Sequence, residues 1–168
     1  SYAGIGILKS IDNGENWENI GLVDSHHIGK VKINPNNPDE IIVASLGHLY
    51  SSNSERGIFK TTDGGVSWKK TLYIDDSTGI IDLDIDPNNF KTQFASSWQK
   101  DRKAWNFNGN GKKSGIYKSI DSGDTWTLIS DADSGFPNGE GVGRIGLAVY
   151  DSKTCLLYTS DAADESVC

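Results

Sequence analysis

Ser119-Ile120-Asp121-Ser122-Gly123-Asp124-Thr125-Trp126 decides the reading of this chain, because its pattern occurs three times. The other copies are Ser10-Ile11-Asp12-Asn13-Gly14-Glu15-Asn16-Trp17 and Thr61-Thr62-Asp63-Gly64-Gly65-Val66-Ser67-Trp68. Each has a small hydroxyl residue, an Asp two positions later, a Gly two beyond that and a Trp three further on. A lysine stands before every hydroxyl (Lys9, Lys60, Lys118), and a Gly-Ile pair leads in (Gly6-Ile7, Gly57-Ile58, Gly115-Ile116). The spacing is 51 residues from Asp12 to Asp63 and 58 from Asp63 to Asp121. A period of that size with several strands per unit points to propeller blades.

Each conserved type in the pattern has a structural reason. The Gly-Ile run is rich in strand formers, and a second short strand begins at the Trp. Between them the Asp is expected to accept N–H groups two residues on, as in an Asx turn. The Gly supplies a positive φ, and the hydroxyl adds a second local hydrogen-bonding group. The Trp buries a large apolar area against a neighbouring unit. Ser10, Asp12, Gly14 and Trp17, Thr61, Asp63, Gly65 and Trp68, and Ser119, Asp121, Gly123 and Trp126 are therefore read as structural. Turn geometry explains the three Asp residues without a catalytic role.

The pattern resembles the Asp-box, or BNR repeat, of sialidases, xyloglucanase-type glycoside hydrolases and sortilin/Vps10 ectodomains. The flanking text Asp24-Ser25-His26-His27-Ile28-Gly29-Lys30, Ala44-Ser45-Leu46-Gly47-His48-Leu49, Glu55-Arg56-Gly57 and Gly143-Arg144-Ile145-Gly146-Leu147-Ala148-Val149 is similar to bacterial sortilin-like proteins described as BNR-repeat glycosyl hydrolases. The resemblance covers residues 1–154. It implies an all-β fold, a fragment of a multi-bladed propeller with four-stranded antiparallel blades, in a secreted, periplasmic or cell-surface setting. Two whole blades are expected at 28–73 and 79–130, with partial blades on either side. The inner strands 28–34 and 79–86 place Lys30 and Lys32 at positions equivalent to Asp82 and Asp84, so these are expected to be central-channel residues that offset each other's charge between neighbouring strands. Turns are expected at Pro35-Asn36-Asn37-Pro38 and Pro87-Asn88-Asn89.

Residues 155–168 break the repeat where a second blade strand is due, and they resemble a translated sequencing adapter. This segment is read as a non-native tail. Both cysteines, Cys155 and Cys168, fall in it, so cysteine arithmetic yields no disulfide or metal motif for the rest. The net charge of −7 argues against nucleic acid as a partner. Removing Asp161, Asp164 and Glu165 with the tail leaves −4. No apolar run approaches membrane-spanning length.

The turns carrying the Asp-boxes lie on one face of the blades. The longer loops, 21–29, 46–56, 74–78, 98–114 and 130–143, lie on the other, where binding residues are expected. Trp98, Trp105 and Phe107 are suited either to stacking on a ligand or to packing the long loop onto its blade. Arg102 is suited to a carboxylate. His26, His27 and His48 are the only histidines and all fall on this face. Their spacing matches no metal motif, so no metal or cofactor is expected. His26, His48, Trp98, Arg102 and Trp105 are the candidate ligand-binding residues. A glycosidase needs two carboxylates flanking the bond. Among Asp24, Glu55, Asp75, Asp76, Asp101, Asp131, Asp133 and Glu140 nothing singles out a pair, so no catalytic residue is assigned. Two readings follow: a binding or scaffold module for protein, peptide or glycan, and part of a glycoside hydrolase acting on polysaccharide.

Overall fold

The computed structural model describes residues 2–150 and, as backbone only, 155–160. β1 (Leu8–Lys9) and β2 (Glu18–Asn19) form a hairpin hinged on the first repeated turn. β3 (Ile28–Asn34), β4 (Asn37–Ser45), β5 (Gly57–Thr61) and β6 (Lys69–Leu72) make a four-stranded antiparallel meander. The second meander begins with β7 (Thr78–Asp86) and β8 (Asn89–Gln99). A small hairpin of β9 (Asp101–Arg102) and β10 (Phe107–Asn108) then projects before β11 (Gly115–Ser119) and β12 (Thr127–Leu128) close the sheet. β13 (Ile145–Tyr150) starts the next unit, and the backbone of β14 (Cys155–Ser160) pairs with it antiparallel. The segment set apart in the sequence as foreign to the repeat thus begins with a paired strand, and its remainder lies outside the described residues. The chain is all-β, a fragment of a multi-bladed β-propeller built from four-stranded antiparallel blades.

Strand limits differ from the sequence expectation where turns are tighter. Pro35-Asn36 alone turns the chain, so β4 begins at Asn37, inside the expected Pro35-Asn36-Asn37-Pro38 turn. β8 likewise begins at Asn89, the last residue of the expected Pro87-Asn88-Asn89 turn. Both inner strands carry a register shift at the same place, between Ile28 and Lys30 and between Ile80 and Asp82. At the first of these a Cβ on Gly29 would meet the Ile81 carbonyl at 2.4 Å, so glycine lets two inner strands touch backbone to backbone.

The repeated turn is the same small lattice of hydrogen bonds three times. In the middle copy Thr61 Oγ1 donates to Asp63 Oδ1 at 2.6 Å and accepts Gly65 N–H at 3.0 Å. Asp63 accepts Ser67 N–H at 3.0 Å and the Ser67 hydroxyl at 2.6 Å. The bond to the N–H two positions on therefore belongs to the hydroxyl, as in Asp63 N–H to Thr61 Oγ1 at 3.3 Å. The carboxylate instead reaches the N–H four positions on, in all three copies. This corrects the Asx-turn expectation. Two consecutive residues take positive φ in each turn: Asn13-Gly14, Gly64-Gly65 and Ser122-Gly123.

Neighbouring units interlock in both directions. Trp68 Nε1–H donates back to the Ile20 carbonyl at 2.7 Å, and Trp126 Nε1–H to Thr71 Oγ1 at 3.2 Å. Trp17 is 61% exposed, its indole N–H on the Gly14 carbonyl of its own turn at 3.0 Å, as Trp126 also donates to Gly123 at 3.2 Å. The lysines reach forward. Lys9 Nζ donates to the Gly64 carbonyl at 3.0 Å, and buried Lys60 sits 3.1 Å from Glu40 and 3.0 Å from Asp124.

Alternation along β4 divides its side chains between two interfaces. Ile42 and Ala44 pack with Ile58, Ile80, Leu83 and Ala95 between the two sheets. Ile41 and Val43 pack with Phe59 toward Ile7, Leu22 and Trp68. A third cluster joins Ile116 to Val142 and Ile145. At about 1.5–3 kcal/mol for each large buried side chain, an interface of this size is worth on the order of 10 kcal/mol. The channel ion pairs Lys30–Asp82 (3.4 Å) and Lys32–Asp84 (2.8 Å) are half-exposed, and such pairs contribute about 1 kcal/mol or less. Apolar burial holds the blades together, and the ion pairs fix their register. The expected pairing is present, and it extends further: Asp82 and Asp84 also accept the N–H groups of Leu147 (3.0 Å) and Val149 (2.8 Å).

The turn carboxylates give the fold a defined acid sensitivity. Asp12 is held down to about 2, first by the Asn16 N–H, and Asp121 to about 2, first by the Thr125 hydroxyl. Asp63 is lowered further, first by the Ser67 hydroxyl. A carboxylate lowered on folding stabilises above its unfolded pKa near 3.9, and that stability is lost as pH falls through the folded value. Thermal melts followed by tryptophan fluorescence should hold steady down to about pH 4 and then fall steeply toward about pH 2. Asp63→Asn should lower the melting temperature at pH 7 and flatten that fall. An unchanged slope would remove the turns as its source.

Candidate functional site

The loops opposite the repeated turns converge on one surface, and backbone geometry sets its shape. After β2 the chain passes through Leu22 at φ 54° and a single 3-10 turn, Val23–Ser25. His26 follows at φ 55°, ψ −60°, and His27 N–H bonds the Ser25 carbonyl at 2.6 Å. That is a γ-turn of the rare, strained kind, centred on a residue with a side chain. It is held from both sides: Gly4 N–H donates to the His26 carbonyl and Leu46 N–H to the His27 carbonyl, each at 2.9 Å.

The loop between β4 and β5 is clamped from beneath by two buried cations. Arg56, 2% exposed, donates to the carbonyls of Leu46 (2.8 Å), His48 (2.9 Å) and Ser51 (2.9 Å). Lys100, 4% exposed, donates to His48 (3.1 Å) and Leu49 (3.4 Å). Burial pulls Lys100 down to about 8, helped by the charges of Arg56 and Arg102 and opposed by Asp101. Burial also lowers Arg56, against Asp75, Asp76 and Tyr73, yet a guanidinium stays charged. Asn53 ties the loops together. Its Oδ1 accepts His48 N–H at 3.0 Å, its Nδ2 donates to the Asp24 carbonyl at 2.9 Å, and its N–H to the Asp76 carbonyl at 3.2 Å.

This framework presents His48 to the preceding loop. Its Nδ1 shares a 2.9 Å hydrogen bond with Ser51 Oγ, and its Nε2 faces Asp24 Oδ1 at 3.2 Å. The His26 ring stacks on it with centroids 3.7 Å apart and planes 17° from parallel. One ligand atom from each of Asp24, His26 and His48 lies within 4.8 Å of the others. The spacing of the histidines matches no metal motif, and it is the loop geometry that brings these three side chains together. His27 is separate: its Nδ1 bonds the Gly47 carbonyl at 3.1 Å, and its Nε2 is buried without a partner.

The long loop forms the other half of the surface. Trp98 is a packing residue, its indole N–H on the Gly109 carbonyl at 2.6 Å and its ring edge-on to Phe107. Arg102 stands between Tyr50 (5.7 Å) and Phe107 (5.4 Å) and is exposed. Its contact with Tyr50 joins this loop to the His48 loop. Trp105, at the hairpin tip, is 85% exposed. The candidates thus divide: His26 with His48, Arg102 between aromatic rings, Trp98 in packing, Trp105 projecting free. Sequence reasoning missed Arg56, Lys100, Asn53 and Tyr50. Arg56 was in view only as part of a family motif, and nothing in it signals a buried clamp.

Six of the eight acidic candidates on this face are engaged, Asp76 by the Tyr73 hydroxyl. Asp24 pairs with His48, Glu55 with Lys70, Asp75 with Lys113, Asp101 with Lys103 and Glu140 with Lys112. Burial pushes Asp75 up, but hydrogen bonds from Lys113 and Ser77 outweigh it and hold its carboxyl well below the usual range. That is opposite to the raised pKa of a glycosidase's acid. A groove lies elsewhere, between the β1–β2 hairpin and the second repeated turn. The turn carboxylates on its walls are bonded within their own turns, which makes it a seam between units.

No protein-family model matches the sequence. The vacuolar protein sorting/targeting protein 10 of Kluyveromyces lactis is 31% identical over 80 residues, an alignment covering 48% of this chain and 5% of that protein. Among solved structures, an ancestral GH74 enzyme superposes with a TM-score of 0.61 at 21% identity, over 85% of this chain and 17% of that one. The GH74 enzyme of Niastella koreensis gives 0.50 at 17% identity, over 84% and 21%. The likeness to both structures is one of fold, and the chain spans a small part of each protein it matches.

The cation clamp is directly testable. Arg56→Ala should strip hydrogen bonds from three carbonyls and lower stability by about 3 kcal/mol. Hydrogen exchange should quicken across residues 46–53 more than in β4 or β5. Uniform protection across that loop would show that Lys100 and Asn53 suffice.

Proposed function

We propose that this chain is a sortilin-like Asp-box propeller module that binds a protein, peptide or glycan ligand in an extracytoplasmic setting. The observation that carries this reading is the surface of Arg102, Tyr50, Phe107 and exposed Trp105 beside the clamped 46–56 loop. A guanidinium flanked by aromatic rings suits a ligand that offers a carboxylate next to an apolar or ring face. The partial match to a vacuolar protein sorting/targeting protein supports a binding role. So do the turn residues, whose hydrogen bonds are structural. No helix among the described residues is long and apolar enough to cross a membrane.

The likeness of fold to GH74 enzymes motivates a second reading, in which the chain is part of a glycoside hydrolase acting on polysaccharide. Against it, most loop-face carboxylates with a partner are tied in ion pairs, and Asp75 titrates in the wrong direction for an acid.

The labelled chain should bind a restricted set of acidic peptides or glycans on an array. Trp105→Ala and Arg102→Ala should each weaken binding about tenfold, near 1.4 kcal/mol. Binding unaffected by both substitutions would move the site away from this surface. Release of reducing ends from xyloglucan or another polysaccharide would favour the enzyme reading instead.

A further inference from the structure

We propose that Asp24, His26 and His48 form a site for one divalent transition-metal ion of the zinc class, with open coordination positions toward solvent. The site stands apart from the ligand-binding reading, since metal uptake is measured without any organic ligand.

Three observations carry it. The first is convergence: two imidazoles and a carboxylate, from loops 24 residues apart in sequence, bring their donor atoms within 4.8 Å. A tetrahedral ion with bonds of about 2.0–2.2 Å needs donors roughly 3.3–3.6 Å apart. Side-chain rotation closes that difference. The rings stand 17° from parallel, so uptake requires each imidazole to rotate until its in-plane lone pair meets the other at one point, with the exposed Asp24 carboxylate following. The second is outer support. His48 Nδ1 is already on Ser51 Oγ at 2.9 Å, the arrangement that fixes a ligating imidazole and directs its other nitrogen outward. When Nε2 takes the ion, Nδ1 carries the proton and donates it to Ser51. The third is backbone placement. His48 sits on a loop pinned by Arg56 and Lys100, and His26 is held in a strained γ-turn by bonds on both sides. Strain of this kind persists where the surrounding structure fixes a side chain for use.

The donor chemistry selects the ion. Two imidazoles with one carboxylate suit zinc, copper or nickel, whereas calcium and magnesium take oxygen sets. The stack itself favours an ion over protons. Two imidazolium rings 3.7 Å apart would repel, while metal binding uses both rings neutral and is balanced in part by Asp24.

The experiment titrates the full chain with Zn²⁺ against a chromophoric chelator at pH 7.5, with Cys155 and Cys168 alkylated so that thiols do not compete. One equivalent should bind with a Kd of about 1–10 μM. Co²⁺ in its place should give the visible absorption of a four-coordinate ion. Asp24→Asn and His48→Gln, both in surface loops, should each weaken uptake at least about tenfold and abolish the Co²⁺ band. Ser51→Ala, which removes no donor to the ion and only the hydrogen bond to His48 Nδ1, should weaken it about tenfold with an unchanged melting temperature. Affinity should fall as the pH is lowered, because the ion and protons compete for the same nitrogen lone pairs. The proposal is overturned if no saturable uptake occurs below about 100 μM. It is equally overturned if one equivalent still binds when Asp24 and His48 are both replaced.

Discussion

A four-stranded sheet has two faces, and in this protein both are apolar. Along β4 the residues Ile41, Ile42, Val43 and Ala44 are buried in unbroken succession, which no sheet with one wet face allows. Each blade must therefore lie between two others, and the radial arrangement follows from that requirement. The repeated turn serves it by placing a tryptophan against the unit behind and a lysine against the unit ahead. The inner strands serve it too. Asp82 and Asp84 receive lysines from one neighbour and backbone N–H groups from the other. These polar contacts contribute little energy, yet they leave one register in which all are satisfied.

The loop surface inherits its rigidity from the same layers. Lys100 projects from the end of one blade to hold the carbonyls of a loop belonging to the blade before it. A buried ammonium with only carbonyl partners is costly, which is why its pKa is drawn down. Arg56 shares the task from within its own blade. Between them they hold His48 in place while its ring stays at the surface. A flexible loop would let the imidazole stack and the carboxylate contact average away.

Periodicity made the fold legible from sequence. The hydroxyl, Asp, Gly and Trp positions point to the turn, and the equivalence of Lys32 and Asp84 in two successive inner strands points to a real ion pair. What sequence could not supply was geometry not encoded locally. The turn carboxylate reaches four residues on because its hydroxyl neighbour already takes the nearer N–H. The Asp24, His26 and His48 grouping depends on a γ-turn at a residue that ordinarily avoids positive φ, so no spacing rule could find it. Tyr50 and Arg102 meet only because adjacent blades set their loops side by side. Trp98 and Trp105 look alike in sequence, yet one is satisfied by Gly109 and the other projects into solvent.

The backward tryptophan and forward lysine give the array a polarity. A unit inserted in the correct sense brings both halves of every joint with it, whereas a reversed or exchanged unit would set tryptophan against tryptophan. Whole blades can accordingly be gained or lost by duplication without redesigning their neighbours. Individual turn residues are less free, because each belongs structurally to two blades at once. A chain built this way evolves readily in number and slowly in joint, while its loops vary independently of both.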